Sequence, residues 1–548
     1  MSAFTVDGLH ETAPGAEAGG EADVGLLAGG GGGPAALRPL LGTVLAALER
    51  GAVERGGPLP AGGPREVSWR VRAAAGAVLP EVGAGAGAAL DALVGAVAAG
   101  AADPAEPLCA AHLHCPPLAV AAAADVAASA LNPSMDSWDQ APAASTLEAM
   151  VCRELARLVF PAADGAEADA GARSGPGTDA LAHTDSAAGT NTGTAANTDT
   201  DTGTAANTNT GTGTYAGADA LVTSGGTEAN QLGLLLARQA ARAAGGEVRV
   251  VCGANAHHSV HRSAWLLGLA PPLVVPTPRG VLEPAALEAA LDGLEGAPAL
   301  VVATAGTTDT GDVDPLAELV GVARGHGARV HVDAAYGGPL LFSERLRGRL
   351  AGLRWADSVS FDLHKLGWQP VAAGFFAVPD GAALRPLEHC ADYLNAGDDT
   401  EAGLPDLLGR SLRTTRRPDV LKVAVSLRAL GRAGMARLVE RTCAAAVQLA
   451  ELVAGTVGFE LYARPALSTV VFRPVGGDDA LVAGVRRRLL ERGQAVLGRA
   501  SLGGGLWWKV TLLNPLVAPS DLAALVKLVE EAVEEAVAEE AAVEGADA

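Results

Sequence analysis

Short apolar runs alternate with helix-length segments through the middle of this 548-residue chain. The runs are Ala220-Leu221-Val222-Thr223, Val248-Arg249-Val250-Val251-Cys252, Leu300-Val301-Val302-Ala303-Thr304, Val330-His331-Val332-Asp333 and Ser358-Val359-Ser360-Phe361. Each has the length and β-branched content of a buried strand and is too short for a helix. The intervening stretches, such as 231–244 and 260–269, show helical spacing of apolar residues. Strand and helix taking turns in this way predict an α/β domain with a mostly parallel central sheet. Such sheets bind ligands beyond the carboxyl ends of their strands, so the polar residues just after each run are the ones to examine.

The flanks read differently. Apolar residues recur at helical spacing from residue 37 to about 100, for example Leu40, Leu41, Val44, Leu45 and Leu48. Beyond about residue 405 come helical stretches at 420–431 and 434–453, strand-like runs at 469–472 and 508–513, and a last helix from about 521 into an acidic tail. Residues 1–36, rich in Gly, Ala and acidic residues, cannot bury a core and read as a disordered tail. Residues 163–217 are near-repeats of Thr, Ala, Asn, Gly and Asp, which read as a low-complexity surface insertion. The expected organisation is a tail at 1–36, a helical segment at 37–108, a large domain at 109–395 carrying the insertion, and a small α+β domain at 396–548.

A formal charge of −22 argues against a nucleic-acid partner, whose phosphates call for surplus Lys and Arg. The N-terminal residues lack a basic stretch followed by an apolar one, and the apolar run 118–131 is short and broken by Asp125. A cytoplasmic protein without a membrane partner is expected. The six cysteines (109, 115, 152, 252, 390 and 443) are scattered and read as reduced thiols. Cys109, His112, His114 and Cys115 superficially suggest a metal cluster, but no metal is expected.

Lys365 stands out chemically, because the chain has only four lysines and this one follows His364 after a strand. Lysine can lose its proton and form a Schiff base, which guanidinium cannot do. Three other elements lie at strand ends. Ser224-Gly225-Gly226-Thr227-Glu228-Ala229-Asn230 is a glycine turn entering a helix, suited to an anion, although such turns also serve structure alone. Asp333 could keep a heterocyclic nitrogen protonated while small Ala335 admits a flat ring; equally, Asp333 could cap a loop. His257 or His258 could stack on that ring or be ordinary polar residues. Together, in this order, the four elements meet the needs of pyridoxal 5'-phosphate: a Schiff-base lysine, a pyridinium carboxylate, a phosphate cradle and a stacking group.

On these motifs the chain resembles the group II pyridoxal-phosphate decarboxylases, over roughly residues 105 to 530 apart from the insertion. The resemblance implies the PLP-dependent transferase-like architecture of aspartate aminotransferase, fold type I. It implies that Lys365 forms the Schiff base, Asp333 pairs with the pyridinium nitrogen and His257 stacks on the ring. Gly225, Gly226, Thr227 and His364 would meet the phosphate, Ala335 would underlie the ring, and Thr308 would lie near the ring hydroxyl. A homodimer is implied as well. Leu131-Asn132-Pro133-Ser134-Met135-Asp136-Ser137-Trp138-Asp139-Gln140, His364-Lys365-Leu366-Gly367-Trp368-Gln369-Pro370 and Leu412-Arg413-Thr414-Thr415-Arg416-Arg417 are similar to L-2,4-diaminobutyrate decarboxylases. The implied reaction is α-decarboxylation of a small L-amino acid, most simply L-2,4-diaminobutyrate to 1,3-diaminopropane and CO2. Lysine, ornithine or an aromatic amino acid are alternative substrates, and a catalytically weakened cofactor-binding regulator is the alternative class.

Trp138 and Gln140 are candidate substrate contacts. Aromatic amino acid decarboxylases carry a proton-donating loop tyrosine, and the corresponding stretch here, near Leu404-Pro405-Asp406-Leu407-Leu408, has none. Tyr393 and His257 are the substitutes. Asp362, where relatives have asparagine, is expected to face a backbone N–H or an arginine rather than the cofactor, since a carboxylate would repel a phosphate.

Overall fold

The computed structural model describes residues 27–162, 217–389, 391, 394 and 396–547. Residues 1–26 of the expected 1–36 tail, nearly all of the insertion (163–216) and Tyr393 lie outside the described residues; the end of that tail is not disordered as expected, since a helix begins at Gly33.

Three helices come first: α1 (Gly33–Arg55), α2 (Gly63–Ala75) and α3 (Ala86–Ala99), with α1 and α2 both packed on α3. The approach of α1 to α3 depends on Gly51, where an added Cβ would lie 2.4 Å from the Ala98 Cβ. Helices α4 (Ala119–Leu131) and α5 (Pro142–Val159) lead into the large domain. There, β1 (Asp219–Thr223), α6 (Gly226–Ala243), β2 (Arg249–Gly253), α7 (Ser259–Leu266), β3 (Leu273–Val275), α8 (Pro284–Asp292), β4 (Ala299–Thr304), α9 (Leu316–Gly325), β5 (Arg329–Asp333), β6 (Ser358–Asp362) and β7 (Gly374–Val378) follow in turn.

The sheet order is β1-β7-β6-β5-β4-β2-β3. All pairs are parallel except those that β7 makes with β1 and β6. Every residue of β1, β4, β6 and β7 is buried, which is why these strands read as continuous apolar runs rather than alternating ones. All five expected strands are present. Two more were not legible: β3 is only three residues long, and β7, Gly-Phe-Phe-Ala-Val, follows Lys365 without a helical spacer.

The short helix α10 (Gly397–Glu401) precedes α11 (Val420–Gly455), which bends at Gly431. Gly431 has φ 62° and ψ 175°, a conformation that interrupts the helix near the boundary expected from its sequence. The small domain then combines β8 (Phe459–Leu461), β9 (Thr469–Pro474), α12 (Asp479–Glu491), β10 (Gly498–Leu502), β11 (Gly505–Thr511) and α13 (Pro519–Asp547). Its antiparallel sheet has the order β10-β11-β9-β8. Phe459, Phe472 and Trp508 meet edge-on in its core, each burial worth about 1.5–3 kcal/mol. Among the described residues, no helix is long and apolar enough to cross a membrane.

The arginines of the 412–417 stretch fasten the chain between the domains. Arg416 forms a buried two-pronged pair with Glu148 of α5, at 2.5 and 2.7 Å. Arg413 reaches Glu228 at the start of α6, and Arg417 reaches Asp125 of α4. Just upstream, Arg410 grips Asp219 and the Ala220 carbonyl at the beginning of β1.

Candidate active site

The carboxyl ends of β1, β4, β5 and β6 open onto a cavity of about 320 Å³. All nine residues expected to hold the cofactor line it: Gly225, Gly226, Thr227, His257, Thr308, Asp333, Ala335, His364 and Lys365. Each occupies a strand-to-helix or strand-to-loop turn, where a rigid sheet ends and side chains become free to converge.

The glycine turn between β1 and α6 is shaped by close backbone contact. An added Cβ at Gly226 would lie 2.8 Å from the Ala335 Cβ, and one at Gly225 would lie 3.0 Å from the His364 ring. From below, Gly374 of β7 supports the turn: a Cβ there would lie 2.4 Å from the Gly225 Cα. The turn opens into the N-terminus of the 18-residue α6, which offers backbone N–H groups to an anion. Glu228, in the first turn, accepts a hydrogen bond from the Ser224 N–H at 2.7 Å and is paired with Arg413 at 3.3 Å.

Asp333 closes β5 and is nearly inaccessible. Its Oδ2 accepts from Asn230 Nδ2 at 2.7 Å, and its Oδ1 accepts from the Ala335 N–H at 3.1 Å. Neither arginine nor lysine neutralises it through an ion pair among the described residues, which suits a carboxylate awaiting a cationic ring nitrogen. His257, in the turn after β2, has its Nδ1 within hydrogen-bond distance of Ser259 Oγ at 2.8 Å. Burial lowers the pKa of both His257 and His364, so both favour the neutral ring.

Lys365 points its Nζ at Asp362 Oδ2, 3.0 Å away, and His364 Nε2 lies 3.5 Å from the same oxygen. This corrects the expectation for Asp362. It faces neither an arginine nor a backbone N–H; it lines the cavity beside the glycine turn and carries the ion pair of Lys365. Lys365, paired with Asp362, and Arg413, paired with Glu228, offset the negative charge gathered near the anion cradle. Among the described residues, three buried polar atoms of cavity residues have no hydrogen-bond partner: Asp362 Oδ1, His364 Nδ1 and Thr304 Oγ1. Leaving such atoms unpaired costs about 1–3 kcal/mol each, so the site is built to receive a polar group. The donor set, the cradle that a Cβ would fill and the unpaired atoms together fit pyridoxal phosphate.

Several site residues were not legible in the sequence. Tyr336 lines the cavity and ties the two domains together, its hydroxyl meeting Ser468 and Thr469 Oγ atoms at 2.8 and 2.9 Å. Burial pushes its pKa up to about 12, so it remains a phenol. Lys509 of β11 donates to the Thr308 carbonyl at 2.9 Å and brings a cation from the small domain to the cavity wall. Its rarity as one of four lysines was the available signal. Leu113, from the Cys109–Cys115 stretch, reaches the cavity, whereas Cys115 donates to the His364 carbonyl at 3.1 Å. Trp138 and Gln140 do not line the cavity of this chain. Trp138 is partly exposed, and Gln140 donates to Asp136 and Ser137.

Comparison with known proteins finds similar chains. Residues 202–475 match the pyridoxal-dependent decarboxylase conserved domain. An L-2,4-diaminobutyrate decarboxylase of Rhizobium meliloti (strain 1021) is 36% identical over 474 residues, covering 83% of each chain. A protein of the same name from Acinetobacter baumannii is 30% identical over 449 residues, 76% of this chain and 78% of that one. Among solved structures, the glutamate decarboxylase domain of diaminobutyrate-pyruvate transaminase and L-2,4-diaminobutyrate decarboxylase from Vibrio parahaemolyticus superposes with a TM-score of 0.74 at 28% identity. That match covers 93% of this chain and 98% of the other. A rice TDC solved with PLP and tryptamine has the same fold, with a TM-score of 0.74 at 23% identity over 91% of this chain and 98% of that one.

Proposed function

Because this chain belongs to the pyridoxal-dependent decarboxylase family, and is thus a PLP-dependent amino acid decarboxylase, we propose that its substrate is L-2,4-diaminobutyrate, converted to 1,3-diaminopropane and CO2. The observation that carries the reading is the convergence of Lys365, Asp333, His257 and the glycine turn on one cavity, joined to the names of the two relatives above. Bound cofactor supplies an electron sink that accepts the pair left when the bond to the departing carboxylate breaks.

This chain's residues divide the remaining work. Lys365 Nζ would hold the cofactor, and Asp362, 3.0 Å away, orients that nitrogen. Asp333 stabilises a proton on the ring nitrogen. The α6 N-terminus, Thr227 and His364 would bind the phosphate, and Thr308 and Ala335, which line the same cavity, would flank the rest of the cofactor. Lys509 places positive charge beside Thr308, where it can draw in the substrate carboxylate. His257, neutral and in the turn after β2 that lines the cavity, is the candidate to return a proton to the α-carbon, with Tyr393 as the second candidate. Trp138 and Gln140, which do not reach this chain's own cavity, are proposed to approach the site of a second copy in a homodimer. A cytoplasmic setting fits the small, polar substrate.

The test is a screen of CO2 release with L-2,4-diaminobutyrate, lysine, ornithine, glutamate and aromatic amino acids, each at equal concentration. The reading predicts release from diaminobutyrate at a kcat/KM well above the rest. A preference for lysine or an aromatic amino acid overturns the substrate, and no release from any supports a binding role instead. Sedimentation of the purified protein at twice its chain mass checks the dimer.

A further inference from the structure

A continuous chain of buried hydrogen bonds runs behind the cavity and joins Asp333 to His257. Asn230, on α6 and fully buried, stands at its centre. One amide nitrogen serves two acceptors: Asp333 Oδ2 at 2.7 Å and Ser259 Oγ at 2.9 Å. Its oxygen faces His331 Nε2 and Ser360 Oγ, both at 2.9 Å. As a carboxylate, Asp333 can only accept, and that fixes the amide's orientation. His331 Nε2 must then donate to the Asn230 oxygen, while its Nδ1 accepts from the Ser358 hydroxyl at 2.8 Å. Burial agrees, pushing the His331 pKa down to about 4 and keeping that ring neutral.

The direction propagates to the other side. Ser259 Oγ already accepts from Asn230, so its own proton is free for His257 Nδ1, 2.8 Å away. The backbone N–H of Ser259, which can only donate, also points to that nitrogen at 3.3 Å. With two donors aimed at Nδ1, the neutral His257 ring carries its proton on Nε2, the atom farthest from Ser259.

We propose that Asn230 is a positioning residue that couples the ring-nitrogen carboxylate to the tautomer of His257, so that a protonated Nε2 is presented to the reacting substrate. One amide thereby serves two tasks. It holds Asp333 in place as an acceptor, and through Ser259 it makes His257 a proton donor rather than an acceptor. The opposite tautomer would turn a lone pair toward the substrate and could not deliver a proton.

This inference rests on the site reading above, but its test does not require turnover. Protein labelled with 15N-histidine is prepared without cofactor, and His257 is assigned by loss of its signals in His257→Asn. The expected spectrum has an unprotonated Nδ1 and a protonated Nε2. In Ser259→Ala and Asn230→Leu the two shifts should move toward one another, reporting a roughly tenfold change in the tautomer ratio from one lost hydrogen bond. In the reconstituted enzyme, the same variants should lower kcat more than they raise KM. A wild-type His257 protonated at Nδ1 overturns the proposal outright, even if the variants do not fold. Lost activity with unchanged shifts overturns it too, since a purely structural role would look like that. A failed substrate screen would leave the spectrum as expected, so the two readings fail separately.

Discussion

Replacing Gly374 with alanine tests whether the glycine turn is an anion cradle, because it acts from behind the turn without touching the cavity. The new Cβ would sit 2.4 Å from the Gly225 Cα, 2.6 Å from the Gly225 nitrogen and 2.6 Å from the Thr223 Oγ. Ordinary van der Waals contact begins at 3.4 Å, so β7 and the turn must separate by about 1 Å. The two Gly225 atoms are backbone and cannot yield by changing a rotamer, and the third neighbour is the hydroxyl of the buried Thr223. Overpacking of this kind costs about 1–3 kcal/mol of stability. A 1 Å displacement of a binding group can cost about a hundredfold, or about 2.7 kcal/mol, in the interaction it positions. The variant should therefore show a lower melting temperature and, separately, cofactor affinity weakened by about a hundredfold. The assay is titration of cofactor-free protein with pyridoxal phosphate, followed by absorbance, at a temperature where the variant is folded. A destabilised variant that binds the cofactor with unchanged affinity would refute the reasoning, because the displaced turn could not then be holding the phosphate.

Three further outcomes follow from packing and charge. Gly321→Ala in α9, where an added Cβ meets nothing within 4 Å, should raise stability by about 0.5–1 kcal/mol in urea denaturation and leave cofactor binding unchanged. Arg416→Ala strands the buried Glu148 carboxylate and should destabilise by about 3–5 kcal/mol, whereas Arg157→Ala, which removes an exposed pair with Glu154, should change stability by no more than about 0.5 kcal/mol. His331 is held neutral with its pKa depressed from 6.5 to about 4, so the unfolded chain binds the extra proton first. Its contribution is complete above about pH 6.5 and is lost as pH falls toward 4; stability measured at pH 5 should be about 2 kcal/mol below that at pH 7, with a shallower slope in His331→Gln.

The large sheet was legible because burial on both faces leaves an unmistakable apolar run. The strands 219–223, 249–253, 299–304, 329–333 and 358–362 each carried that mark. Strand β7 did not, since it lies close behind the Lys365 turn and its antiparallel insertion between β1 and β6 is a property of topology. The cofactor residues were legible for a related reason: each is a chemically distinctive type placed directly after a strand. What escaped notice depends on contacts between segments distant in sequence. Lys509 reaches Thr308, Tyr336 reaches Ser468, and Asn230 joins Asp333 to Ser259, and no local pattern announces any of these pairs. Asp362 was misread because repulsion from a phosphate was weighed without the neighbouring Lys365, which offsets its charge.

The central claim is that this cavity removes CO2 from L-2,4-diaminobutyrate and returns a proton to the same carbon. The most direct measurement is product analysis by mass spectrometry after turnover in D2O with wild-type protein and with Lys365→Ala. The expected product is 1,3-diaminopropane carrying one non-exchangeable deuterium, formed in equal amount with CO2, with no turnover in the variant. Cofactor-loaded wild-type protein that leaves diaminobutyrate untouched, or a Lys365→Ala protein that turns it over as fast as wild type, would contradict it.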